Sequence, residues 1–404
     1  MFDFLKNRKK FIVFDVGSQK ITSIAFKIIN GRVKIISMDY QKSTGIKKNK
    51  FDDIEKLSSI IKKVFKKVGG YSKQNLIFSN ITDPNLLITK KTTELQSGKL
   101  GISKKEIRKI FKKSLIESKV SGRRLIHSNP NNFILDEDNI TSEPLGKICK
   151  NLKLSSLNVL VNEDHLKKLN LCFSKKKILI KNFFDSGIAS ALSCLKKKEK
   201  EDGVVCIDIG AETTKVVVYL NEKIIYVDNL PVAGKNVTSD ICHGLQVSTE
   251  AAELAKITHG AVISPFNENV EINIDSRKKK LVSRNILFGI IKPRYDEILE
   301  IIRDNVFDNI HTRVAIKSVV LTGGGSKIFG IKDVCKNIFN RQTRIGQSED
   351  PQSFFYNKPE FSTILGMIEL VRDQKIYNHI PNYSYNKFTQ IADKVDNWIE
   401  ESYA

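Results

Sequence analysis

Apolar and polar positions along the chain fall into one pattern that occurs twice. From Phe11 a short, almost wholly apolar run, FIVFDVGSQK, ends in Asp15-x-Gly17, and ITSIAFKI, the turn signal Asn30-Gly31 and VKIISM follow it. From Val204 the same order returns as VVCIDIGAETTK, VVVYL, a turn at Asn221-Glu222 and IIYVDN. Short runs rich in β-branched residues and bounded by turn residues read as strands. Each copy therefore predicts a strand, an acidic turn, a second strand, a hairpin and a third strand. A repeat of this kind implies two lobes with similar sheets.

Between the copies the period changes. Ile54, Leu57, Ile60, Ile61, Val64 and Phe65 recur at helical spacing within Phe51 to Val68. Ser103 followed by Glu106 is a capping box ahead of a helix carrying Ile107, Ile110, Phe111 and Leu115. Short β-like runs follow at Arg124 to His127, Asn132 to Leu135 and Asn158 to Val161, so Ile77 to Asn162 reads as a small α+β module. Asp185 to Leu195 predicts a further helix. A third glycine-rich turn, TGGGSK from Thr322 to Lys327, follows a short apolar strand at Ser318 to Leu321. At the C-terminal end Phe388, Ile391, Ala392, Val395, Trp398 and Ile399 share one helical face after a stretch with Pro381, Asn382 and Ser384.

With 404 residues the chain exceeds one comfortable core, and 41% hydrophobic and 28% charged residues are ordinary globular proportions. The net charge of +22 comes mainly from lysines spread over the whole length. With no basic arm, zinc knuckle or interleaved aromatics, nucleic acid is not expected as a partner. Six cysteines without a C-x-x-C pair read as free thiols of a reducing compartment. The start MFDFLKNRKK lacks a signal peptide's apolar core, and no run of about 20 apolar residues occurs, so the expectation is a cytosolic protein unless its ends tether it. The histidines, at 127, 165, 243, 259, 311 and 379, have no metal-ligand spacing, and no Ser/His/Asp arrangement argues for a hydrolase.

The chemistry suggested by the turns is phosphate binding. Triphosphates are held by backbone N–H groups of tight turns and by a cation kept through carboxylates or waters. Asp15 stands beside Gly17 with Ser18, Gln19 and Lys20 in the turn; Asp208 stands beside Gly210 with Ala211, Thr213 and Thr214 beyond it. Facing turns of this kind would grip the phosphates, and Asp15 and Asp208 would hold a water-bearing Mg²⁺.

In order and separation the three turns resemble the phosphate-1, phosphate-2 and adenosine motifs of the actin, Hsp70 and sugar-kinase superfamily. Within it, LPVAGKNVTSDICHGL (Leu230 to Leu245), AAELAKITHGA (Ala251 to Ala261), IKPRYDEILEII (Ile291 to Ile302), VVLTGGGSKIFGIKDV and TRIGQSE resemble the FtsA family of bacterial cell-division proteins; HSNPNNFILDE and FSTILGMIEL also fit. The likeness spans about residues 11 to 370. It implies an α/β, actin-like (ribonuclease H-like) two-lobed fold with duplicated mixed β-sheets flanked by helices and an inserted small α+β subdomain. On it, residues 1–76 and 163–200 form subdomain 1A, with a return at 346–378. Residues 77–162 form the inserted subdomain 1C, 201–229 and 315–345 subdomain 2A, and 230–314 subdomain 2B. Residues 379–404 form a flexible linker and a C-terminal amphipathic helix.

The resemblance further implies ATP and Mg²⁺ as cofactors, with Gly323, Gly324 and Gly325 letting the backbone pass close to the adenosine. Gly234 belongs to the same pocket, and Glu253 and Lys256 match positions that touch ribose or adenine; an i,i+3 ion pair explains the last two equally well. Implied partners are the C-terminal tail of FtsZ, the chain itself in a head-to-tail filament, other divisome proteins and, peripherally, the cytoplasmic face of the inner membrane at the division site. Phe388, Ile391, Val395, Trp398 and Ile399 would be the membrane contact, although acidic residues on the opposite face weaken the attraction to anionic lipid. The second turn departs from the family's Asp-x-Gly-Gly-Gly-Thr, with Ala211 and Glu212 in place of two glycines. A carboxylate there would repel phosphate, and no residue stands out as a base that activates water, so any ATPase activity is expected to be weak. A rod-shape or type IV pilus actin-like protein is the alternative, and a small-molecule kinase of the same superfold a more remote one.

Overall fold

The computed structural model describes residues 9–71, 75–98, 101–264, 268–273, 279–309, 316–347, 354–355 and 357–373. The chain forms two compact units, one from Met1–Leu192 with Ile364–Ala404 and the other from Ser193–Thr363.

In the first unit the repeat becomes β1 (Phe11–Val16), β2 (Lys20–Ile29) and β3 (Arg32–Lys42), joined antiparallel. Asn30 and Gly31 both take positive φ, 51° and 73°, as a two-residue hairpin turn of the primed type requires. A small hairpin, β4 (Ile46–Lys47) and β5 (Lys50–Phe51), leads to α1 (Ile54–Lys67). Asp53 caps this helix, accepting the Lys56 N–H at 2.9 Å. β6 (Leu76–Ile81) then pairs parallel with β1.

The separate small sheet begins after β6. β7 (Leu87–Gln96), α2 (Lys104–Glu117), β8 (Arg123–Leu135), β9 (Asn139–Thr141) and β10 (Asn151–Asn162) form an antiparallel sheet in the order β7-β10-β8-β9 with one helix. It has its own core of Leu95, Ile107, Ile110, Phe111, Phe133, Leu152 and Leu154. The capping box at Ser103 and Glu106 is complete in both directions. Burial pushes the Glu106 carboxyl up, but the donors of Ser103, Gly98 and Ser97 together outweigh it and hold it at about 2. The two β-like runs on either side of Pro130 are one strand, because a register shift opposite Ser155/Ser156 makes a bulge at the proline.

α3 (Glu163–Ser174), capped by Asn162, packs with α1 on the first sheet. Ile12 and Phe14 of β1 meet Leu57, Ile61 and Val64 of α1 and Leu166, Leu169 and Phe173 of α3, each burial contributing about 1.5–3 kcal/mol. β11 (Asn182–Asp185) completes a five-stranded sheet in the order β11-β6-β1-β2-β3.

α4 (Ser186–Cys194) carries the chain into the second unit, where α5 (Lys197–Asp202) precedes β12 (Val204–Ile209), β13 (Thr214–Leu220) and β14 (Lys223–Leu230). α6 (Gly234–Leu245), α7 (Thr249–His259), the hairpin β15 (Asn269–Asn273) and β16 (Lys279–Ser283), and α8 (Arg284–Asn309) follow. β17 (Ser318–Thr322), α9 (Ile331–Phe339) and β18 (Gln342–Ile345) close the sheet, and α10 (Ser362–Arg372) returns to the first unit. The order β14-β13-β12-β17-β18 has antiparallel pairs on one side of its first strand and parallel pairs on the other, which is the topology of the first unit's sheet. The duplication read from the sequence is thus a duplication of sheets. Every residue of β12 is buried, as a central strand covered on both faces requires.

All six cysteines are free thiols, and five of them are buried. Among the described residues no helix is long and apolar enough to cross a membrane.

Candidate functional site

The acidic turns of the two units correspond residue for residue. Asp15 lies opposite Thr22 across the β1–β2 pair, and Asp208 lies opposite Lys215 across β12–β13. Each turn closes with the same bond, Gly17 N–H to the Lys20 carbonyl at 3.0 Å and Gly210 N–H to the Thr213 carbonyl at 3.0 Å. A Cβ on Gly17 would stand 3.1 Å from the Lys20 carbonyl oxygen, and one on Gly210 would stand 2.7 Å from that of Thr213. Glycine is what lets both turns close so tightly.

The surroundings differ. In the first unit Asn80, at the end of β6, donates from Nδ2 to Asp15 Oδ1 at 2.7 Å and to Ser186 Oγ at 3.0 Å, and its Oδ1 accepts the Val16 N–H at 2.7 Å. Thr82 Oγ1 lies 2.6 Å from Ser186 Oγ. Asp15 is therefore oriented by a neutral amide. Ser18 and Lys20 are half-buried and Gln19 is exposed at the tip of the turn.

In the second unit Asp208 Oδ2 accepts from Lys215 Nζ at 3.1 Å, with the side chains only 5% and 11% exposed, and from Thr363 Oγ1 at 3.4 Å. Glu212 is paired with Lys235 at 2.8 Å. The turn is bolted to the start of α6, since Gly234 N–H donates to the Gly210 carbonyl at 3.2 Å and Lys235 N–H to the Ala211 carbonyl at 2.7 Å. Lys256 Nζ in turn donates to the Gly234 carbonyl at 2.9 Å, to Thr238 Oγ1 at 2.7 Å and to Glu253 Oε2 at 2.7 Å. Burial lowers the Lys256 pKa, and Glu253 pulls it partly back. Thr238 also bonds Glu253 directly.

The third turn belongs to the same unit. Gly323 has φ +82°, and a Cβ there would fall 2.2 Å from Asp208 Oδ1; one on Gly325 would fall 2.3 Å from Ile209 Cγ2. The Tyr295 hydroxyl donates to the Gly325 carbonyl at 3.0 Å.

Against this geometry, a family model described as "Cell division protein FtsA" matches residues 205–366, which hold the second and third turns. A cell division protein FtsA from Agrobacterium fabrum is 27% identical over 419 residues, covering 97% of this chain and 94% of the relative. Both comparisons make the chain similar to the FtsA family. Solved structures show that the fold of this chain is actin-like. A PilM-PilN type IV pilus biogenesis complex aligns with a TM-score of 0.64 at 14% identity, covering 90% of this chain and 98% of that one. MreB5 of Spiroplasma citri bound to ADP aligns at 0.56 and 13%, covering 90% and 96%.

The substitutions in the second turn have a local explanation. Glu212 is accompanied by a lysine from the first turn of α6, so the added carboxylate arrives with its own counter-charge. Gly234, Glu253 and Lys256 do come together, yet with one another rather than with open space: the pair Glu253–Lys256 is an i,i+3 ion pair, and a largely buried one. Thr214 Oγ1 donates to the Val232 carbonyl at 2.7 Å and ties β13 to the segment before α6. Of the three glycines, Gly323 and Gly325 are demanded by close packing on Asp208 and Ile209. Gly324 faces room, the nearest atom to an added Cβ being Glu360 Cβ at 3.9 Å.

Sequence reasoning overlooked Asn80, Lys215, Lys235 and Thr238. Lys215 was accessible to it, since a turn closing from Gly210 to Thr213 forces residue 215 opposite 208. Among the described residues no group of three or more His, Cys, Asp or Glu could hold a metal. Phe388, Ile391, Val395, Trp398 and Ile399 lie outside the described residues.

Proposed function

We propose that the protein is an actin-like, ATP-binding cell-division protein that tethers FtsZ polymers to the cytoplasmic face of the inner membrane and polymerises head-to-tail. The observation that carries the reading is the matched pair of glycine turns with an aspartate at each strand end, in a chain similar to the FtsA family. The residues suit a nucleotide. Gly17 and Gly210 leave the turn backbones bare for phosphate oxygens, and the open side of Gly324 leaves room at the third turn. MreB5, of the same fold, was solved with ADP bound.

In this reading Asp15, oriented by Asn80, is the carboxylate for the waters of Mg²⁺, and Ser18, Gln19 and Lys20 line the first turn. Ala211 and Thr213 line the second turn, with Asp208 behind them. Gly234, Glu253 and Lys256 act by fixing α6 and α7 against the second turn rather than by direct contact. A bound Mg²⁺ would neutralise phosphate charge. Nucleotide serves to stabilise one conformation, and with it the polymerising surfaces. Insertion of the small sheet after β6, with only a short hairpin between β3 and α1, supports its assignment as a subdomain 1C for partner contacts.

Two measurements test the proposal. Calorimetric titration of ATP, and pull-down with a peptide of the FtsZ C-terminal tail, should both report binding. A folded chain that ignores the peptide would lose the cell-division role while keeping its fold. Vesicle co-sedimentation with and without residues 385–404 tests the membrane contact, and equal pelleting of both chains removes it.

A further inference from the structure

Two lysines sit where the second turn would otherwise present unopposed negative charge. Asp208 and Asp15 occupy equivalent register positions, but the residue opposite Asp15 is the buried Thr22 and the residue opposite Asp208 is Lys215. Lys215 Nζ is 3.1 Å from Asp208 Oδ2 and 3.4 Å from where a Gly210 Cβ would stand, so the ammonium rests against the backbone of the turn itself. Lys235 balances Glu212 in the same way. Each of these two carboxylates thus faces an ammonium group, which weakens its pull on a divalent cation.

We propose that Lys215 supplies at the second turn the positive charge that a divalent cation would otherwise bring, so that this chain binds ATP without requiring Mg²⁺. A lysine is a compact point charge well suited to phosphate oxygens. A resident ammonium also repels a second cation at close range while lowering the pull of Asp208 on that cation's waters. In the first turn the corresponding carboxylate, Asp15, accepts from the Asn80 amide. The inference rests on the ATP reading above and adds to it the source of the counter-charge.

Isothermal titration of ATP into the full chain, once in excess Mg²⁺ and once in EDTA, decides the matter before any variant is made. The wild-type affinity should change by less than about threefold between the two buffers. A loss of more than roughly tenfold in EDTA overturns the inference. Lys215→Gln should bind in Mg²⁺, where the freed Asp208 can hold the cation's waters, and lose at least about tenfold in EDTA, while Lys215→Arg should follow the wild type. Equal losses for Lys215→Gln in both buffers would make Lys215 an ordinary contact and also overturn the inference. Absence of wild-type binding in both buffers is a separate result, which removes the ATP reading and this inference with it. Should Lys215→Gln fail to fold by circular dichroism, the wild-type and arginine titrations still decide.

Discussion

The turn after β1 and the turn after β12 are closed by the same 3.0 Å hydrogen bond, on sheets of the same strand order, and yet the half-buried Asp15 and the buried Asp208 at their strand ends meet different partners. The first gives Asp15 a neutral amide from the neighbouring parallel strand. The second gives Asp208 an ammonium from the neighbouring antiparallel strand. Duplication therefore preserved what the backbone must do, which is bend tightly beside a glycine, and left the charge of each turn free to change. A neutral partner orients the carboxylate without altering its charge, whereas an ionic partner cancels it.

Breaking the ionic solution should cost most. Lys215→Met leaves Asp208 buried and uncompensated, and urea denaturation should report a loss of about 3–5 kcal/mol. The register-equivalent change in the first unit, Thr22→Val, should be neutral or slightly stabilising by up to about 1 kcal/mol, because Thr22 Oγ1 is buried with no hydrogen-bond partner among the described residues. Adding Asp208→Asn to Lys215→Met should recover part of the loss, a coupling that a double-mutant cycle measures. If the two single changes cost the same, the contrast between the turns has no energetic content.

The third turn leans on Asp208, and there the backbone decides. Gly323→Ala combines a positive φ of +82° with a Cβ 2.2 Å from Asp208 Oδ1, and should destabilise by about 2–4 kcal/mol in the same denaturation assay. Gly324→Ala meets no atom closer than 3.9 Å and should change stability by less than about 0.5 kcal/mol while weakening ATP binding.

Acid should separate the two units. His127, on β8, is fully buried and accepts the Asp185 N–H at Nε2, 2.8 Å away, and its burial lowers the imidazole pKa to about 3. The unfolded chain takes up that proton near the ordinary value of about 6.5, so between those values acid favours unfolding. The contribution is whole above about pH 6.5 and falls by about 1.4 kcal/mol per pH unit below it, or about 2 kcal/mol by pH 5. The described histidines of the second unit, His243 and His259, are not buried. Hydrogen exchange at pH 7 and pH 5 should therefore show protection lost first in the peptides of β8 and β11, and His127→Phe should blunt the loss. Equal loosening of β12 and β17 would remove the distinction.

How much of this was legible in the residues depended on how far apart the interacting groups lie along the chain. The duplicated turns, both hairpins, the Ser103 capping box and the glycine turn after β17 are local, and each stands where its pattern put it. Glu253–Lys256 was legible as an i,i+3 pair; its burial was not, because that comes from α6 packing on α7 and from Thr238 fifteen residues earlier. Asn80 carries no signal of its own, since it meets Asp15 only through a parallel pairing across 65 positions. The two runs read at Arg124 to His127 and Asn132 to Leu135 are joined into one strand through Pro130 by a bulge that the partner strand β10 makes possible, a pairing no local pattern announces.

A small change in stability should also come with a clear change in binding at Lys235, and it tests whether Glu212 is compatible with phosphate at all. Lys235 is 39% exposed, so Lys235→Ala should cost no more than about 1 kcal/mol in folding, as surface pairs generally do. It leaves Glu212, 9% exposed, without that counter-charge beside the turn. A carboxylate near a phosphate that has lost this partner is worth about 1–2 kcal/mol of added repulsion at intermediate dielectric, which is roughly tenfold in ATP affinity by calorimetry. Adding Glu212→Gln to Lys235→Ala should then restore the wild-type affinity, because it removes the charge that the lysine balanced. A double variant that binds no better than Lys235→Ala would mean that Lys235 touches the nucleotide itself, and that the pair does not exist to neutralise Glu212.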